Sequence, residues 1–340
     1  MWTSFQGLPK AAMPSPTPSR RRYPKHVSDD VYQRSVTIMG TVATIQVVGH
    51  GADPQQKSAR EQIREQTVHQ SVDAAFAWFE RVEECCSRFE PRSELMQLVG
   101  QVGVAVPASA ILYEAVQFAL AVAAESGGAF DPTVGYAMES RGFNREYRSG
   151  EVIRTDIEPE EAISYLDVHL DPEEKTITLL RPLILDLGAV AKGLAVDLAA
   201  RELRAFENFA INAGGDLYLG GSNPNGAPWA IGIRHPRRDH ELIETIRVSN
   251  RAVCTSGDYE RLGRDGDHHI MDPRTGTTAP SVASATVVAP TAMLADALAT
   301  AAFVLGPQDG IRLLDRLGVE GLIFSPTLER YATQDLCSDH

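Results

Sequence analysis

The chain has 340 residues, 43% hydrophobic and 23% charged, with a formal net charge of −13. That is ordinary globular composition, enough for one large domain or two modest ones. So acidic a chain lacks the Lys and Arg clusters from which phosphate-backbone binders draw affinity. Nucleic acid is therefore excluded as a partner, and any phosphate recognition must be local.

The N-terminus, rich in Pro and Ser, ends in a basic run at Arg20–Arg22. It lacks the apolar stretch of ~7–15 residues that an export signal needs, and none follows the arginines. Residues 1–34 are read as a disordered tail. No segment reaches the ~18 apolar residues of a membrane helix. Cys85, Cys86, Cys254 and Cys337 include no C-x-x-C pair, so reduced thiols in a cytoplasmic protein are expected, with no membrane attachment.

Alternation and β-branched residues over 35–49 (SVTIMGTVATIQVVG) predict a strand interrupted at Gly40, or a hairpin. Residues 59–86 predict a helix with Val72, Phe76, Phe79 and Val82 on one face. A turn and short helix follow, then a long apolar helix stopped by Gly127-Gly128. Residues 150–181 read as turns and short strands. The segment LILDLGAVAKGLAVDLAARELRAF reads as a buried strand ending near Asp186, a Gly turn and an amphipathic helix. FAINAGGDLYLGG reads as strand, Gly-Gly break and strand. Further strands lead to the apolar helix MLADALATAAFVLG (293–306). Helices and strands intersperse without a strict βαβ rhythm, which predicts an α+β fold.

That last helix carries Asp296 and Thr300 in its middle, on one face at i and i+4. A carboxylate inside an apolar helix is costly unless paired or bound to metal. The pair makes a hard-oxygen patch suited to Mg²⁺, or else a solvated notch in which Thr300 bonds back to a carbonyl. Gly188 and Lys192 in LDLGAVAKG place a lysine in the first turns of a helix, which is either an anion site or a turn with a surface lysine. Neither phosphate-loop nor dinucleotide-fingerprint spacing is present. Asp131 and Asp216 sit on Gly-containing loops where a ribose or base edge could be met, although such loops are also common punctuation. His268 and His269 open the segment HHIMDPRTG; His269, followed by Ile270 and Met271, is the stronger general-base candidate. No feature activates Cys254, and it reads as a small hydrophobe.

Eight segments, MGT (39–41), SRFEPRSEL (87–95), GGAFDPTVG (127–135), LDLGAVAKGLAVD (185–197), NAGGDLYLGG (212–221), TSGDYER (255–261), HHIMDPRTG (268–276) and ADALATA (295–301), occur in the order found in one family. Together they resemble the FAD:protein FMN transferases, the ApbE family, over about residues 35–325. The resemblance implies an α+β, mixed-sheet ApbE-like fold: one large domain, residues 35–330, with two subregions around an FAD cleft and a C-terminal tail at 331–340.

The resemblance also implies cleavage of FAD between its phosphates and release of AMP. The FMN is joined by a phosphoester to a threonine or serine of an acceptor flavoprotein, with Mg²⁺ required. Metal ligands carried over from the family are the Ala189 carbonyl, Asp296 and Thr300. Met39, Phe89, Ala129, Phe130, Asp131, Asp186, Lys192, His269 and Ile270 are implied to contact FAD. His269 is expected to deprotonate or orient the acceptor hydroxyl, with Asp296 as the other catalytic group. Phe89 stands where the family often has tyrosine, keeping the stacking surface without the phenol. Many relatives are exported or lipid-anchored, and with no such segment here a cytosolic acceptor, or one flavinylated before export, is expected. The same donor and metal chemistry would serve an FAD pyrophosphatase giving FMN and AMP, and loss of turnover would leave a non-catalytic FAD-binding protein.

Overall fold

The structure, a computed structural model, describes residues 26–28, 31–49, 59–158, 162–260 and 268–337. Most of the N-terminal tail (1–25 and 29–30) and the last three residues lie outside them.

Strands β1 (His26–Ser28), β2 (Val31–Ile38) and β3 (Thr41–Val48) open the fold. β2 and β3 form a hairpin closed by Met39-Gly40, both at positive φ (50° and 73°). Such a mirror-type two-residue turn matches the twist of the flanking strands. The chain is thus ordered before the residue-35 boundary expected from sequence. Tyr32, Val36 and Ile38 supply the buried positions that make β2 a strand. Helix α1 (Ala59–Cys86) follows, with Val72, Phe76, Phe79 and Val82 all buried along its inner stripe. Next come α2 (Glu94–Leu98), β4 (Val106–Pro107), α3 (Ala110–Glu125) and α4 (Gly135–Ser140). α3 starts on the Ser109 hydroxyl, which accepts from Leu112 N, and ends before Gly127-Gly128, both at positive φ.

β5 (Val168–Asp171) and β6 (Thr176–Leu179) join β4 in a small sheet. Helix α5 (Gly188–Glu202), β7 (Phe209–Ala213), β8 (Asp216–Gly220), β9 (Trp229–Arg234), β10 (Leu242–Val248) and β11 (Arg251–Gly257) come next. Two-residue strands β12 (Met271–Asp272) and β13 (Thr277–Thr278) pair together ahead of β14 (Ser284–Ala289) and α6 (Ala292–Leu305). The chain closes with α7 (Pro307–Leu317), β15 (Glu320–Phe324), β16 (Arg330–Ala332) and α8 (Gln334–Cys337). The expected tail after 330 therefore begins as an edge strand paired to β15.

One nine-stranded sheet runs β1-β2-β3-β7-β8-β11-β14-β15-β16. Every neighbouring pair in it is antiparallel, which sharpens the α+β expectation. The main core gathers side chains of α1, α3, α5 and α6 with those of the sheet. A second cluster joins Trp229, Ile233, Ile246 and Val248 of the β9–β10 ribbon to Leu219, Val253, Val288, Leu322 and Phe324. β14, SATVVA, is buried at all six positions and shows no alternation, as expected of a strand covered on both faces.

Two local expectations are corrected. Leu183, Ile184, Leu185 and Leu187 are buried, but residues 183–187 are not a strand; Asp186 N donates to Pro132 O at 2.7 Å and Gly135 N to Ile184 O at 3.1 Å, tying the segment to a turn instead of a ladder. α5 is not amphipathic, since Val190, Ala191 and every residue from Gly193 to Ala200 are buried. It lies wedged between α1, α6 and the sheet. At the α5–α6 crossing a Cβ on Gly193 would stand 2.5 Å from the Ala292 carbonyl oxygen. Four residues on, Asp197 accepts Ala292 N (2.7 Å) and Met293 N (2.9 Å), tying α5 to the first turn of α6.

Gly193→Ala should destabilise by about 1–3 kcal/mol and lower Tm by several degrees, although Gly→Ala in an uncrowded helix stabilises. A raised Tm would refute the crowding argument. Burial pushes the Asp197 carboxyl up to about 7, against its two backbone donors and Arg201. A folded-state value above the ordinary one means stability that is full below about pH 4 and lost as pH rises through about 7. Asp197→Asn, which does not titrate, should therefore gain on the wild type across that window in urea unfolding. A constant difference would contradict the assignment.

Candidate active site

A cavity of about 950 Å³ opens where the Met39-Gly40 and Gly214-Gly215 turns, the α5 N-terminus, α6 and the loop after α1 meet. That is near the top of the ~300–1,000 Å³ usual for small-molecule sites. All twelve residues expected from sequence line it: Met39, Phe89, Ala129, Phe130, Asp131, Asp186, Ala189, Lys192, His269, Ile270, Asp296 and Thr300.

Its floor is an acid–lysine–acid cluster. The Lys192 ammonium pairs closely with Asp216 and reaches Asp296 Oδ2 at 3.5 Å. Both carboxylates are buried. Burial works to lower the Lys192 pKa, but the Asp216 and Asp296 charges outweigh it and hold the amine above its ordinary value, so it is a cation. Burial and then the neighbouring Asp216 charge push the Asp296 carboxyl above its ordinary value, against Lys192 and the Gly193 N–H. Two acids thus share one ammonium, which makes the floor hungry for further positive charge.

The Gly193 N–H that donates to Asp296 is the group an uninterrupted helix would direct to the Ala189 carbonyl. Ala189 itself is non-helical, at φ −95° and ψ 19°. Thr300 Oγ1 lies 3.2 Å from Ser256 Oγ. One buried carboxylate, one hydroxyl and one backbone carbonyl suit Mg²⁺, which takes one or two carboxylates and completes its shell with phosphate and water. Among the described residues no group of three or more His, Cys, Asp and Glu is set to hold a metal; the donors here are a carboxylate, a hydroxyl and a carbonyl, the oxygens a hard cation takes. These residues fit Mg²⁺.

On the wall, Arg88 is buried. It pairs with Asp186, donates to the Phe143 carbonyl and stacks over the Phe89 ring at 4.2 Å. Asp186 also accepts Gly188 N at 2.7 Å, fixing the entry to α5. Asp131 turns its carboxylate inward: Oδ1 accepts Thr133 N and Oγ1 (2.9 and 2.7 Å), and Oδ2 accepts Tyr165 N at 2.9 Å. It holds the loop that presents Ala129 and Phe130, while burial, offset by those donors, raises its pKa. Met39 N donates to Glu83 at 3.2 Å, and Glu83 also takes Tyr147 (3.0 Å) and Arg148 (2.6 Å).

The adjacent histidines separate. His268 Nε2 meets the Ala279 carbonyl at 3.1 Å and its ring packs on Phe303, a structural role. His269 lines the cavity with its ring edge-on to Phe143, centroids 6.5 Å apart. Cys254 is buried with its thiol 3.5 Å from the Ala292 carbonyl, as its apolar reading required.

Sequence reasoning did not single out Arg88, Glu83 or Ser256; Asp216, left there between a ligand contact and loop punctuation, lines the cavity as the Lys192 partner. Arg88 and Ser256 lie inside quoted motifs, but what they touch is set by distant segments.

The architecture is that of solved flavin-transferase structures. The ApbE protein of Thermotoga maritima superposes with a TM-score of 0.75 at 30% identity, over 90% of this chain and 98% of that one. The flavin transferase ApbE from Vibrio cholerae gives 0.73 at 27%, over 92% and 99%. The chain belongs to the ApbE family, whose pattern matches residues 39–323. The FAD:protein FMN transferase of Treponema pallidum is 31% identical over 323 residues, 87% of this chain and 84% of that protein. The Vibrio cholerae enzyme of that name is 37% identical over 198 residues, and this match spans 55% of the present chain and 59% of that protein's length.

Removing one partner of a buried ion pair destabilises by about 3–5 kcal/mol. Arg88→Ala should therefore lower Tm and weaken FAD binding in a flavin fluorescence titration. Arg88→Lys, which cannot reproduce the fork, should recover only part of either. Full recovery by lysine would show that charge alone matters there.

Proposed function

We propose that this protein is a Mg²⁺-dependent FAD:protein FMN transferase, joining FMN to a threonine or serine hydroxyl of an acceptor protein and releasing AMP. The observation that carries this reading is the acid–lysine–acid floor beside Thr300, beneath a cavity of dinucleotide size with His269 on its wall.

In the reaction the acceptor oxygen forms a bond to the FMN phosphorus. The bond from that phosphorus to the bridging oxygen breaks, and AMP leaves with the bridging oxygen. Phosphoryl transfer demands mostly positioning and charge stabilisation. Lys192 offers its ammonium to the diphosphate at the start of α5, and Phe89, backed by Arg88, gives a ring of FAD a flat surface. Asp131 and Asp186 act by holding the loops that shape the cavity. His269 takes the proton of the acceptor hydroxyl, or orients that hydroxyl toward the phosphorus. A Mg²⁺ held by Asp296, Thr300 and the Ala189 carbonyl would supply charge neutralisation for the diphosphate and the leaving AMP.

Among the described residues no helix is long and apolar enough to cross a membrane. Cys85, Cys86 and Cys254 are buried free thiols, which supports a reducing, cytoplasmic setting.

The test incubates the protein with FAD and a threonine-containing acceptor peptide, following AMP by chromatography and FMN mass on the peptide by mass spectrometry. Mg²⁺-dependent AMP with modified peptide is expected. AMP with free FMN and unmodified peptide would instead favour a pyrophosphatase. Asp296→Ala should cut AMP release at least ~10²–10³-fold, as should chelation of the wild type, while FAD binding stays measurable. Full activity in that variant would remove Asp296 from the site.

A further inference from the structure

Asp216 meets the Lys192 ammonium and the Cys254 thiol and has no assigned role of its own in the proposed chemistry, yet it is among the most enclosed acids in the fold, 3% exposed. It is the first residue of β8, directly after the Gly214-Gly215 turn, whose φ angles are 67° and 100°. Gly214 lies so close to Thr41 that a Cβ there would stand 2.3 Å from Oγ1. The turn is thereby pinned against the start of β3, and the Asp216 carboxylate is delivered by the sheet. Lys192 comes from α5 and Asp296 from α6. Lys192 leans toward the sheet-borne acid: its contact with Asp216 is close, whereas Asp296 Oδ2 is 3.5 Å away.

We propose that Asp216 is a positioning residue that draws the Lys192 ammonium off Asp296, leaving the Asp296 carboxylate open to a divalent cation. This rests on the reading of Asp296 as a metal ligand. The three side chains carry two negative charges and one positive. Without the Asp216 charge, Lys192 and Asp296 neutralise each other and the lysine competes with the cation for the same carboxylate. With it, the ammonium is held to one side and the floor retains a net charge of −1. Asp216 thus sets cation affinity without being a ligand.

The discriminating experiment is a double-mutant cycle read by binding. Mn²⁺ is titrated into the purified proteins and free Mn²⁺ is followed by electron paramagnetic resonance, for wild type, Asp216→Asn, Lys192→Met and the double variant. Asp216→Asn should weaken Mn²⁺ binding about tenfold or more, the scale of one nearby charge. In the Lys192→Met background the same change should alter affinity far less, because the competitor is gone. The recovered affinity also shows that the folded site survives. Unchanged affinity in Asp216→Asn overturns the proposal. An equal loss in both backgrounds also overturns it, because Asp216 then acts on the cation directly, as a ligand or through space, and not through Lys192. No Mn²⁺ uptake by the wild type overturns the metal reading of Asp296 and this inference with it, whereas wild-type uptake with either of the previous results overturns the inference alone.

Discussion

The close crossing of α5 and α6 is the constraint on which the rest depends. Only a residue without a side chain fits at Gly193, where the helix backbone meets Ala292 and Met293. From that one contact, the two helices bring Lys192 and Asp296 within reach of each other, and the Gly193 N–H is aimed at the Asp296 carboxylate. Asp197 repeats the tie one turn further along, accepting the first amides of α6. Helix packing normally leaves 8–10 Å between axes, and tighter contact is what lets side chains of two helices and one strand share a single charge cluster.

The sheet supplies the other half of the site through two glycine-bearing hairpin turns. Met39-Gly40 and Gly214-Gly215 close neighbouring hairpins, since β3 pairs directly with β7. They fall at the same end of the sheet, so the cavity floor is set by strand register. Asp186, Arg88 and Asp131 hold the surrounding loops by internal bonds. Much of the charge in the cavity is therefore structural, leaving a few groups to meet a ligand.

Sequence reading reached far where a residue's role was local. The bounds of α1 followed from the period of Val72, Phe76, Phe79 and Val82, and the end of α3 from Gly127-Gly128. All twelve expected site residues came together because motif order carried their placement. It stopped where roles are made by distant partners. Three buried aliphatics before Asp186 look like a strand, yet their backbone answers to a turn about fifty residues upstream. The largely buried α5 could not be told from an amphipathic helix, since nothing local announces cover on three sides. Asp131 and Asp216 look alike on paper; only the fold sends one to Thr133 and Tyr165 and the other to Lys192.

The pairing of Ala43 with Ala213 joins parts of the chain separated by α1, α3, the small sheet and α5. Loop closure on that scale must be achieved before its contacts reward it, which makes such topologies slow to fold. Both glycine turns reach their working positions only once this ladder has zipped. The site is consequently a late product of assembly: a nascent or partly folded chain lacks the cavity in which Lys192, Asp216 and Asp296 meet.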